Sequence, residues 1–296
     1  MARNAVTLVL GGAGVKGVAA IGALQSLDAH KVPVKRIVAS GLSGYVAAHY
    51  ALGRDVTHLS EELMTFFTRH NRYLWGVEQM TGVFQTRRRR IVGSFQYFLH
   101  ERLFCRANLR RTSVLEWSTF EPQIRSAFGE ATFADLKIPL AISAIDLVRR
   151  RLVTIDSGPL VPAIKAGLAF PGLFPPVTID GQQLVSSTQC CDVPMESVTE
   201  RDSPTLAIDF LDVSSRQRPG SLLEVIARTG EVRNAAIKEH LAENVDYVFC
   251  LEGMSRFRWG SYGHIPQMVA LARKETDRHL RLVPRFQKRR PAAAKG

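Results

Sequence analysis

The chain has 296 residues, a formal net charge of +12 and an apolar content of 46%. That length fits one large domain or two small ones, and the composition is ordinary for a globular protein with a large core. No stretch approaches the ~18 apolar residues of a spanning helix, so a transmembrane segment is excluded and any membrane contact would be peripheral. The basic balance favours anionic partners, phospholipid headgroups or nucleic acid, and says nothing about fold.

The run Val6–Leu10 reads as a buried strand. It is too short, and too closely followed by glycines, to be the apolar core of a signal peptide. Gly11-Gly12-Ala13-Gly14-Val15-Lys16-Gly17 follows, and Val15 to about His30 reads as a small-residue helix. This is the layout of a backbone anion-binding loop: glycines allow a sharp turn with several N–H groups facing one point. Such a loop can hold a phosphate or the oxyanion of an acyl-transfer intermediate. Val34–Ala39 is a second short strand. The turn Ser40–Gly44 leads into a second small-residue helix, Tyr45–Leu52, closed by Gly53. Strand, turn and helix twice over predict an α/β sheet with parallel strands.

From Thr57 to Phe128 the pattern is helical and rich in aromatic residues and arginine, and predicts a cap over the sheet. It holds Arg87-Arg88-Arg89-Arg90, then Phe95, Tyr97, Phe98 and Leu99, then Arg102, Arg106, Arg110 and Arg111. Such a mixture is either a solvated face or a contact for anionic membrane. No known nucleic-acid motif supports a nucleic-acid partner.

Strand signals return at Pro139–Ile145, Leu152–Ile155, Val177–Ile179 and Leu184–Val185, with Asp180-Gly181 as a turn. Leu206–Leu211 and Tyr247–Leu251 read as further strands, and Leu222–Glu243 and Ile265–Leu282 as helices. The tail from Pro284 to Gly296 is basic and Ala/Pro-rich and reads as disordered. One domain over residues 1–283, with 57–128 as an insertion within it, is the expected organisation. Cys105, Cys190, Cys191 and Cys250 show no CxxC spacing, so no zinc site is expected. They read as buried reduced thiols, which points to the cytoplasm. Nothing calls for a cofactor.

Four blocks resemble the patatin-like phospholipase family, in family order. They are Gly12-Ala13-Gly14-Val15-Lys16-Gly17, like the family's oxyanion loop; the turn Ala39–Gly44 with its helix; Thr132–Leu136 with Pro139–Leu147; and Phe170–Val177. The resemblance implies a three-layer α/β fold, a mostly parallel central sheet between helices. It also implies lipid acyl-ester hydrolysis by a Ser–Asp dyad: the serine, in GxSxG at a strained elbow, attacks the ester, and the aspartate of a DGG or DGA turn takes the proton.

Carried over residue by residue, the dyad is missing. Counting from Lys16, and back from Ala51-Leu52-Gly53, puts Gly41 at the nucleophile position. Counting from Pro171 and from Pro194 puts Ser186 at the aspartate position, and a serine hydroxyl is not ionised near neutral pH. Two alternatives keep catalysis. Ser43, in Gly41-Leu42-Ser43-Gly44-Tyr45, could be a displaced nucleophile, although Tyr45 is bulky where the elbow needs a small residue; otherwise it caps the following helix. Asp192 or Asp180 could be the base, Asp180 belonging to a hairpin turn. His49 reads as a surface or core residue. Lys16 either positions the loop, holds an anion or is a surface lysine.

Two functions are therefore expected candidates. One is a catalytically inactive relative that serves as a binding or structural module on anionic lipid, with a protein partner, or as a homo-oligomer. The other is a lipid acyl hydrolase that uses Ser43 with Asp192.

Overall fold

The computed structural model describes residues 5–12, 14–70, 112–113, 115–210, 222–257 and 260–283. Ala13, the Arg87–Arg90 run, Phe95, Tyr97, Phe98, Leu99, Arg102, Cys105, Arg106, Arg110, Arg111, Leu211 and the tail from Pro284 lie outside the described residues.

Among the described residues, eight strands form one mixed sheet. They are β1 Val6–Leu10, β2 Val34–Ala39, β3 Leu140–Asp146, β4 Arg151–Ile155, β5 Val177–Ile179, β6 Gln182–Ser186, β7 Thr205–Asp209 and β8 Tyr247–Cys250. The order is β5-β6-β3-β2-β1-β7-β8, with β4 folded back on β3. From β3 to β8 neighbouring strands are parallel, whereas β4 and β6 run antiparallel to β3, and β5 to β6. The parallel strands read as apolar runs because both faces are covered.

Alternation along β1 sorts its side chains between two cores. Leu8 and Leu10 join Leu24, Val46 and Met268, from helices α1 Ala19–Ala29, α2 Gly41–Ala51 and, at the far end of the chain, Ile265–Leu282. Val9 points the other way, to Val193, Met195 and Ala207. The remaining helices are α3 Leu59–Arg69, α4 Glu121–Phe128, α5 Leu160–Leu168 and α6 Leu222–Leu241, which makes the last one α7. Helices α1 and α7 pack closely: a β-carbon on Gly22 would overlap the carbonyl oxygen of Val269.

Several expectations are revised. The helix after the glycine loop opens as a 3-10 turn, Gly14–Val18, before α1 begins. Helix α2 starts at Gly41 rather than Tyr45, because burial of its whole length outweighs the poor helix propensity of Gly41 and Gly44. The strand expected at Leu184–Val185 runs from Gln182 to Ser186. Helix α5 is absent from the expected elements; Pro162 in its first turn is compatible with a helix start. The helix expected through Glu243 ends at Leu241 and continues as a 3-10 turn. The Asp180-Gly181 turn is as expected, with both residues left-handed, at φ 48° and 73°.

Candidate functional site

The C-terminal ends of β1 and β2 lie side by side, with Leu10 opposite Ala39. Each strand delivers one half of the site there. Past β1, the Gly11 amide donates to Ile208 O at 3.4 Å, and Gly12 donates to Oδ1 of Asp192 at 3.3 Å. The loop then folds back on itself and presses its 3-10 turn against α2. A β-carbon on Gly17 would come within 2.6 Å of the Ser43 amide nitrogen. Lys16 is buried rather than a surface lysine.

Past β2 the chain makes a strand-to-helix elbow. Ser40 is still extended, at φ −128° and ψ 155°, and its amide donates to Leu10 O at 3.2 Å. Gly41 is the tip. Its φ is +58°, a left-handed conformation that non-glycine residues hold only with strain. A β-carbon there would sit 2.9 Å from Gly12 O and 3.0 Å from Cγ2 of Thr188. Glycine loop, elbow and the turn after β6 therefore meet at Gly41.

Ser186 ends β6 opposite Ala144, and its amide donates to Ala169 O at 2.9 Å. Its hydroxyl lies 3.1 Å from that of Thr188, and the Thr188 amide donates to Ser186 Oγ at 3.4 Å. Gly41, Ser186 and Thr188 line one cavity of about 110 Å³, together with Gly14 and Val15 of the loop. The rest of its wall is mostly apolar, with Leu63 and Phe66 of α3, Trp117, Phe120 and Phe174 prominent, and Gln123, Tyr45 and Tyr262 also line it. Trp117 stacks on Phe174 at 4.5 Å, and Phe120 meets the same ring edge-on at 5.0 Å. The described flanks of the segment expected to cap the sheet thus supply much of this wall.

Ser43 is the third residue of α2 and is fully buried. Its hydroxyl does not cap the helix. It donates backward, to Ser40 O at 2.6 Å and Leu10 O at 3.0 Å, sharing its single proton between two main-chain oxygens. Ser40 is the N-cap residue, and its hydroxyl donates to Asp192 O at 2.6 Å instead of to the helix. The Asp192 carboxylate faces the Gly12 amide, and its own amide donates to Oδ1 of Asn234 on α6 at 3.4 Å. Asp180 sits in the turn at the far end of β6 from Ser186. The structure thus brings Gly41 and Ser186 together and holds Ser43 and Asp192 in separate hydrogen-bonded positions.

His49 is a core residue. Its ring lies 4.9 Å from Tyr45 and 4.7 Å from Phe128, and Nε2 has no hydrogen-bond partner among the described residues. Burial, with the Arg54 charge adding to it, lowers its pKa to about 4. Tyr45 turns its bulk toward α4, edge-on to Phe128 at 5.2 Å, which is how the elbow helix tolerates it.

Sequence reasoning missed the polar brace behind the loop. Lys238 of α6 pairs with buried Asp209, at the end of β7, at 2.8 Å. Burial pulls the Lys238 pKa down, but the Asp209 charge outweighs it and holds the ammonium above its ordinary value. It also missed the aromatic wall, whose residues come from segments with no shared periodicity.

A glycine loop at the end of β1, an elbow at the end of β2, and their meeting at one cavity agree with the family comparison. The family described as patatin-like phospholipase matches residues 8–192. The chain belongs to the patatin-like phospholipase family.

Its α/β fold, a central eight-stranded sheet flanked by helices, is the patatin-like one. Among curated relatives, lysophospholipase NTE1 of Debaryomyces hansenii is 21% identical over 217 residues, 73% of this chain and 12% of that protein. Lysophospholipase NTE1 of Candida albicans is 22% identical over 217 residues, 73% and 14%. The NTE family protein Rv1063c of Mycobacterium tuberculosis is 25% identical over 195 residues, 65% and 45%. The chain therefore spans less than half the length of each of these relatives. Among solved structures, VipD from Legionella pneumophila is similar with a TM-score of 0.41 at 12% identity, over 90% of this chain and 67% of that one. ExoU in the ExoU–SpcU complex of Pseudomonas aeruginosa is similar with a TM-score of 0.46 at 17% identity, over 94% and 52%. Among the described residues, no helix is long and apolar enough to cross a membrane.

Proposed function

We propose that this patatin-like protein does not hydrolyse lipid esters and instead binds an acyl group in the cavity above Gly41, at an anionic phospholipid surface. The observation that carries this reading is the elbow itself. The residue at its left-handed tip, facing the cavity, is a glycine. It has no side-chain atom to attack an ester, and Ser186 across the cavity offers a hydroxyl where the family's mechanism needs a carboxylate. The runner-up pair, Ser43 and Asp192, fits less well, since the Ser43 hydroxyl is turned to Leu10 and Ser40 and the Asp192 carboxylate to Gly12.

The cavity supports an acyl ligand for a second reason. Ser186 and Thr188 share one hydrogen bond between their hydroxyls, which uses one of their two protons. The other proton is a donor in a mostly apolar wall, suited to a carbonyl or carboxylate oxygen at the head of a chain.

A fluorophosphonate probe and short-chain p-nitrophenyl esters test the reading. The expected result is no labelling and no turnover. Labelling that disappears in Ser43→Ala would establish the displaced serine as a nucleophile and end the proposal. Binding is read separately. Quenching of Trp117 by a brominated fatty acid, in a W75F/W259F background, is expected to saturate; no quenching would remove the acyl ligand.

A further inference from the structure

Strand β3 is longer than its neighbour requires. Its register with β2 ends where Ala39 faces Ile142, but β3 continues to Asp146. Those four further residues carry it about 13 Å past the end of β2, at ~3.3 Å per residue. Because β1, β2 and β3 are parallel, this is the edge of the sheet that carries the glycine loop and the elbow. The β3–β4 hairpin therefore projects from the edge at which the cavity lies.

What it carries at its tip is unusual for a solvated turn. Leu147 is 47% exposed and Val148 67%, and Leu152 on the returning strand is 36% exposed. Between them run Arg149, Arg150 and Arg151, all exposed. Arg149 approaches the Asp146 carboxylate at 3.5 Å, whereas Arg150 and Arg151 have no ion pair among the described residues. The tip is also tied down by hydrogen bonds. Buried Asp146 accepts hydrogen bonds from the amides of Val148 and Arg149, at 3.0 and 3.1 Å, and the Leu147 amide donates to Gln183 O at 2.9 Å. Arg150 completes the turn in the left-handed region, at φ +54°. The two aliphatic side chains are thus held outward by the turn's own hydrogen bonds.

We propose that the Leu147–Arg151 hairpin tip is the segment with which this protein enters an anionic phospholipid surface. Aliphatic side chains at the tip reach the acyl boundary while the arginines beside them meet the headgroup phosphates. A solvated hairpin has no use for two exposed aliphatics in a row, and an apolar protein partner would not call for three flanking arginines. The net charge of +12 adds attraction of the same sign. Entry at this tip would face the cavity edge toward the lipid. The inference rests on the reading of an anionic lipid surface as partner, and not on the reading of the elbow as non-hydrolytic.

The test is co-sedimentation of the full chain with phosphatidylcholine vesicles, with and without phosphatidylserine. Wild type is expected to bind only the anionic vesicles, and less as salt rises. L147S/V148S should lower the partition coefficient about tenfold, and R150S/R151S by about tenfold or more at low salt, since each arginine near such a surface counts for about a factor of five. R273S/K274S, which removes the same charge from exposed positions on α7, should change it less than twofold. Val148→Trp should bind at least as well as wild type and show a blue-shifted emission on vesicles. Equal losses in the tip and α7 variants, or full binding by L147S/V148S, would overturn the tip while leaving a lipid partner in place. No binding by wild type would overturn both. Self-association that only the tip variants abolish, without vesicle binding, would make the tip a contact between copies.

Discussion

The amide of Gly12 faces Oδ1 of Asp192 at 3.3 Å, joining the glycine loop to a segment 180 residues further along the chain. The carboxylate that sequence spacing offers as a base is thereby engaged in holding the loop. Asp192→Ala removes the side-chain acceptor of a buried amide and should cost about 1–3 kcal/mol in chemical denaturation. Asp192→Asn keeps an acceptor and should cost less. A neutral Asp192→Ala would mean that the loop is held by its packing alone.

Gly41 is the natural target for restoring chemistry. Gly41→Ser alone should cost about 1–2 kcal/mol, because a side chain must hold a left-handed conformation beside Gly12 O and Thr188. Combined with Ser186→Asp it should give a protein that reacts with a fluorophosphonate, whereas Gly41→Ser alone should react far more slowly. A folded double variant that stays unlabelled would show that the loop no longer presents its amides to an oxyanion.

His49 makes stability depend on pH with a definite sign. Its folded pKa, about 4, is below the ordinary value of 6.5, so between these pH values the unfolded chain takes up a proton that the folded one refuses. Stability should be intact above pH 6.5 and fall as pH drops toward 4, by about 3 kcal/mol at most. His49→Phe should flatten that part of the profile, as measured by urea midpoints from pH 7 to 4. An unchanged slope would assign it to other groups.

Two helix glycines should respond in opposite directions. Gly22→Ala drives a methyl into the Val269 carbonyl and should destabilise by roughly 1–3 kcal/mol, through separation of α1 from α7. Gly230→Ala, in α6, meets nothing within 4 Å and should stabilise by about 0.5–1 kcal/mol through helix propensity. Thermal unfolding of both variants checks the sign of each.

Local pattern alone was enough for strands β1 and β2 with a helix after each, for α7 at Ile265–Leu282, and for the β5–β6 turn. Each of these is encoded over a few residues, by apolar runs or by turn chemistry. The order of the motifs also singled out Gly41 and Ser186, and the structure sets both on one cavity. Helix α5 escaped because nine residues with an internal proline and glycine carry little periodic signal, and its burial between α2 and β6 is what makes it a helix. The start of α2 escaped for the same reason.

Only the tertiary structure decided what each hydroxyl and carboxylate does. Ser43 reads from sequence as a cap or a nucleophile, but the direction of its proton depends on Leu10, which a different strand brings to it. Asp192 reads from sequence as a candidate base, and only the fold sets the Gly12 amide opposite its carboxylate. The aromatic wall of the cavity, and the hairpin tip that shares its edge, arise from strand order and strand length. Hydrophobic period and glycine spacing are properties of neighbouring residues and survive in the sequence. Hydrogen-bond partners and cavity walls belong to residues brought together only when the sheet closes, so they are settled by packing.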